Sequence, residues 1–119
     1  MNKQEKKVFD EVTEAYADCW LPDDTPWPLQ ESRRNLHFRA SAPVKLKVAH
    51  KILKNVFPGA GGYNNFSPDL LLKLHADTMV TIAREGSVCL YVDRKPPSVK
   101  TMDCDECDQQ GKEWRLWWD

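Results

Sequence analysis

Apolar residues recur at helical spacing in three stretches and then bunch or alternate in the last third of the chain, the pattern of an α+β fold. After Met1-Asn2, Val8, Val12, Ala15 or Tyr16 and Cys19 return every three or four residues, with Glu11, Glu14 and Asp18 between them. This predicts an amphipathic helix over about 4-20. Pro22 stops it, and Asp23-Asp24-Thr25-Pro26-Trp27-Pro28 begins a turn-rich loop spanning 22-32. Leu36, Phe38 and Ala40 alternate with His37 and Arg39 as in a short strand, or equally an extended linker. Ser41 then offers an N-cap ahead of Pro43, and Leu46, Ala49, Ile52, Leu53 and Val56 predict a second helix over about 42-57. A glycine-rich loop, 58-66, follows it.

Ser67-Pro68-Asp69 is a helix-start signal, and Leu70, Leu71, Leu72 and Leu74, extended by Ala76 and Met79, predict a third helix over about 68-85. A second reading competes from Thr78 onward. Met79 to Ala83 is rich in β-branched residues and can form a strand that turns at Arg84-Glu85-Gly86-Ser87 into Val88 to Val92. The first reading gives three helices (about 4-20, 42-57 and 68-85) packed with a small antiparallel C-terminal sheet of strands 88-92, 99-102 and 113-118. The alternative is a four-stranded meander in which 79-83 is the added strand. Either way the acidic stretch 103-112 reads as a loop. In the terminal strand Trp114, Leu116 and Trp118 share one face, with Arg115 and Trp117 on the other. The 119 residues are organised as a single domain, 1-119, with one core.

Charge changes this picture more than composition does. The net charge is only -1, but residues 1–31 carry -5, residues 32–100 carry +8 and residues 101–119 carry -4. No acid occurs from Ser32 through Ser67, where Arg33, Arg34, Arg39, Lys45, Lys47, Lys51 and Lys54 gather with His37 and His50. Such a cluster suits an acidic protein surface, or nucleic-acid phosphates without base readout; its plainest role is a solvated helix face balanced by the acidic ends. Aromatic candidates for a contact surface are Trp27, Tyr63 and Trp117, although the plainer role of such residues is to seal a core edge.

Candidate chemistry is sparse. Cys104-Asp105-Glu106-Cys107 is half of a zinc arrangement and lacks a second pair at diagnostic spacing, so a structural Zn is a secondary expectation and no cofactor is the primary one. The acids around both sulfurs disfavour a redox thiolate, and inert thiols are the leading reading. Gly59, Gly61 and Gly62 lack the lysine and hydroxyl residue of a phosphate loop. His75 and Asp77 supply neither a nucleophile nor a substrate-locating group. The chain has no apolar run of bilayer length and opens on no signal segment, giving a cytoplasmic, non-membrane expectation.

The expected function is therefore a noncatalytic protein-interaction module, an inhibitor or adaptor acting through charge complementarity and aromatic contacts. The alternatives are a nucleic-acid-binding accessory protein using residues 33-54, and a small zinc-supported binding domain. A protein is the first expected partner and nucleic acid the second.

Overall fold

Asn2 accepts the backbone N–H of Glu5 at 2.8 Å while the Glu5 carboxylate accepts that of Asn2 at 3.0 Å, a reciprocal cap that starts α1, Lys3–Ala15. The computed structural model describes residues 1–17, 37–57 and 65–119, and the expected course of 18-20, 22-32 and 58-64 lies outside them. Val8, Val12 and Ala15 form the buried stripe of α1.

The short strand expected around residue 38 is present as β1, His37–Arg39. The second helix begins later than expected. Ser41 does not cap it; the Ser41 N–H and hydroxyl both donate to Glu11 of α1, at 3.1 and 2.9 Å. Pro43 disfavours helical backbone at Ala42, so Val44–Lys45 first pairs as β2 and the helix α2 runs Leu46–Val56. Leu46, Ala49, Ile52, Leu53 and Val56 are its buried side.

The leucine run does not make an α-helix to residue 85. Pro68–Lys73 is a 3-10 segment, in which side chains three apart lie on the same side, and the buried residues Pro68, Leu71 and Leu74 follow that spacing of three. Thr78 N–H closes a turn on His75 O at 3.0 Å. Met79–Glu85 is then strand β3, so the β-branched residues decide in favour of the competing reading. Gly86, at φ 73, turns the chain into β4, Ser87–Val92.

The strand expected over 99-102 is instead a helical turn, α3, Val99–Met102. Ser98 caps it by accepting Thr101 N–H at 3.3 Å, and Met102 is fully buried. The acidic stretch expected as a loop contains β5, Glu106–Gln110, joined through Gly111 (φ 64) and Lys112 to β6, Glu113–Trp117. The result is a six-stranded antiparallel sheet in the order β1-β3-β4-β6-β5, with β2 also pairing β3.

The register sorts side chains onto two faces. Val80, Ile82 and Arg84 pair with Val92, Leu90 and Val88, and Leu90 pairs with Leu116; this face meets α1 and α2 in the main core. Edge-to-face rings run through that core from Tyr16 to Phe57 (5.4 Å), Phe66 (6.0 Å) and Trp118 (4.8 Å). Trp118 is fully buried, and its indole N–H donates to Met102 O at 3.0 Å. The opposite face holds a smaller cluster of Ala83, Cys89 and Tyr91 with Trp117 packed on it.

Arg84 locks the helical layer to the sheet. Although fully buried, its guanidinium donates to Ala15 O at 2.9 Å and to Gly86 O at 3.2 Å and lies over the Tyr16 ring. A cation there meets the negative end of α1. The Tyr16 hydroxyl returns a hydrogen bond to Ala83 O at 2.6 Å. Among the described residues, no helix is long and apolar enough to cross a membrane.

Candidate functional site

Because α2 buries Leu46, Ala49, Ile52, Leu53 and Val56, the helical period turns Lys47, Lys51 and Lys54 outward together. Lys45 is exposed immediately before them. From Lys47 to Lys54 the helical part of this face is roughly 10 Å long at the helical rise per residue. His50 borders it and approaches Asp69 of the 3-10 segment at 2.9 Å, while Lys54 reaches the same carboxylate at 3.7 Å. The hydrogen bond to His50, and then the charge of Lys54, hold the Asp69 carboxyl below the usual carboxylate range. Among the described residues, Lys45, Lys47 and Lys51 form no ion pair.

The C-terminal acids do not neutralise this helix face, because much of their charge is engaged on the far side of the sheet. Arg115 is 12% exposed in its side chain and binds Glu85 through Nε at 2.7 Å, with a second, shorter contact from Nη2. Its Nη1 meets Glu106 at 2.9 Å and Asp108 at 3.4 Å. Burial lowers the Arg115 pKa, but the hydrogen bonds to Glu85 and Glu106 more than offset this and raise it. The same Arg115 hydrogen bond leads the causes that lower the Glu85 pKa.

Arg39 belongs to this second face and not to the α2 surface. Its Nη2 donates to both oxygens of Glu113 at 2.8 Å, and its guanidinium lies 4.2 Å from the centroid of the Tyr91 ring. The hydrogen bond to Glu113 raises its pKa despite the opposing effect of burial. The expected basic cluster is thus divided: Lys45, Lys47, Lys51 and Lys54 stay together, Arg39 is separated, and Arg33 and Arg34 lie outside the described residues. Trp27 and Tyr63 also lie outside them. Trp117 is half-buried, with its indole N–H donating to Glu85 O at 2.9 Å, so only part of the ring is available to a partner.

His37, Phe38, Arg39, Arg84, Glu85 and Tyr91 line a concavity of about 320 Å³. Burial pushes the Tyr91 phenol up to about 12, and it also pushes the neighbouring Cys89 thiol up to about 12. Both groups keep their protons at neutral pH. The charged groups of this concavity are already engaged, Glu85 by Arg115, Arg39 by Glu113 and Arg84 by backbone carbonyls, which makes it a tied charge layer beside the Tyr91 ring.

The secondary expectation of a structural zinc on Cys104 and Cys107 is overturned. Among the described residues, no three His, Cys, Asp or Glu side chains gather in a group able to hold a metal ion. Cys107 turns toward the core opposite Leu116, and Cys104 is buried with its thiol pushed up to about 11 by that burial and by Cys107. The histidines are dispersed: His37 is on β1, His50 engages Asp69, and His75 Nδ1 meets Arg94 at 3.1 Å and Asp77 N–H at 3.1 Å. Burial, and then the charge of Asp108, raises the Cys107 thiol as well, so the surroundings of both sulfurs disfavour the thiolate that a metal requires.

Sequence reasoning missed the Arg115–Glu85–Tyr91 layer. The available signal was the alternation that places Arg115 opposite Trp114 and Leu116, but its acidic partners come from two other strands, Glu85 from β3 and Glu106 and Asp108 from β5. No protein-family model, curated protein or solved structure matches this chain.

Proposed function

We propose that the chain is a noncatalytic protein-binding module that presents the Lys45, Lys47, Lys51 and Lys54 face of α2 to an acidic surface on another protein. One observation carries this reading: the helix lysines point outward without ion pairs among the described residues, apart from Lys54, while Arg115 and Arg39 already engage the C-terminal carboxylates. A folded protein with both surfaces could have joined them to each other. Here the cations are held apart on a rigid helix whose opposite side is core, so presenting them requires little ordering on binding. Partner carboxylates at one-turn spacing would complement Lys47, Lys51 and Lys54, and the resulting charge match favours orientation and association rate. The mechanism is occlusion of the partner's acidic surface or its recruitment.

Capture of partners from a nuclease-treated lysate of the source cells, by the wild-type chain and by a K47E/K51E variant, tests the proposal. The expected result is a protein recovered by the wild type and by a control reversed at Lys112, but lost with K47E/K51E. Recovery of the same proteins by all three chains rejects the surface. The runner-up, phosphate binding by the same lysines, predicts salt-sensitive association with duplex or single-stranded nucleic acid; no association at low ionic strength eliminates it.

A further inference from the structure

The 3-10 segment, which meets the α2 face through Asp69 at His50 and Lys54, carries one exposed apolar side chain. In 3-10 geometry side chains at i and i+3 eclipse, so Leu72 lies on the same side of its segment as Asp69. Asp69 is the carboxylate bound by His50 and Lys54, which fixes that side of the segment against the edge of the basic helix face. Leu72 is 64% exposed, while Leu71 and Leu74 in the same run are buried. The segment is also held from its other end, where Lys73 Nζ donates to Thr101 O of α3 at 2.9 Å. Leu72 is consequently an apolar side chain on a fixed support, not on a free loop tip.

Resting on the proposed protein-binding role, we infer that Leu72 is the apolar anchor of the α2 surface and that its occupant is an acidic amphipathic helix of another protein. Charge complementarity selects this occupant. Lys47, Lys51 and Lys54 have the spacing i, i+4, i+7, which a second helix meets with carboxylates at the same spacing. The adjoining side of that helix would place a leucine or phenylalanine over Leu72. The lysines orient the incoming helix, and the apolar contact discriminates an amphipathic acidic segment from a merely acidic one.

Two synthetic helical peptides serve as probes. Both carry glutamates at i, i+4 and i+7; one has leucine on the adjoining side and the other has serine there. Calorimetric Kd values are measured for the wild-type chain, a Leu72→Ser variant and the K47E/K51E variant. The expected result is about tenfold tighter binding of the leucine peptide by the wild type, corresponding to burial of an exposed leucine. Leu72→Ser should bind both peptides equally and weakly, and K47E/K51E should bind neither. Thermal melts establish that the variants are folded, and Leu72→Ala supplies a second truncation if the serine variant is destabilised.

Equal affinity of the wild type for the two peptides, or a leucine preference that survives in Leu72→Ser and Leu72→Ala, overturns the anchor while leaving the basic-face role intact. Undiminished binding by K47E/K51E overturns the basic-face role and the anchor with it. Failure of the wild type to bind the leucine peptide also overturns the anchor.

Discussion

Replacing Arg115 by methionine should expose how much the charge layer on the far side of the sheet contributes to stability. Methionine keeps much of the apolar stem but removes donors serving Glu85, Glu106 and Asp108. Breaking a buried pair by removing one partner costs about 3–5 kcal/mol, whereas an exposed pair contributes at most about 1 kcal/mol. Arg115 has 12% side-chain exposure, Glu85 31%, and Glu106 and Asp108 56% and 49%, so the Glu85 contact dominates and lies between those limits. We expect a loss of about 2 kcal/mol at pH 7, with the outer two carboxylates contributing little. Arg115 lowers the Glu85 pKa, so the coupled stability is present above the unfolded glutamate value and is lost as pH falls through the lower folded value. Urea unfolding of wild type, Arg115→Met, Glu85→Gln and the double variant should therefore give a coupling energy at pH 7 that shrinks in acid. A loss at pH 7 below about 0.5 kcal/mol, or a coupling unchanged in acid, would refute the reasoning.

Three further perturbations address the fold. Tyr16→Phe removes the buried donor to Ala83 O and should cost about 1–2 kcal/mol in denaturant unfolding; a change near zero would show that this link between α1 and β3 adds nothing. Gly111→Ala meets no atom within 4 Å but must adopt φ 64, so its cost should be about 1 kcal/mol, from backbone conformation alone; a gain in stability would contradict that origin. The Cys89 and Cys104 thiols, pushed up to about 12 and about 11, should resist alkylation at pH 7.5 until the protein unfolds, and rapid labelling of the native state by mass spectrometry would contradict their burial.

The α+β class and the helices at both Val8 and Ala49 were legible because each repeats its buried side at helical spacing. The segment from Pro68 to Glu85 was harder because four leucines resemble an α-helical arc. Only the burial of Pro68, Leu71 and Leu74 identifies a 3-10 period, and burial depends on tertiary partners. β5 was hidden for the opposite reason: Glu106, Asp108, Gln109 and Gln110 are exposed, so no apolar alternation marks the strand. At Val99 to Met102, the sequence Pro96-Pro97-Ser98 contained a capping signal that outweighs the β-branched residues beside it. The lysine face was visible as a charge cluster, but its separation from Arg39 depends on β1 register and could not be read from neighbouring positions alone.

The most direct measurement of the central claim is the Kd of the captured partner, once purified, for the wild type and K47E/K51E across a range of salt concentrations. A protein contact through α2 predicts affinity at least about tenfold weaker in the variant, with a shallower salt dependence because two attractive charges have become repulsive. The same Kd and the same salt dependence for both chains would contradict it.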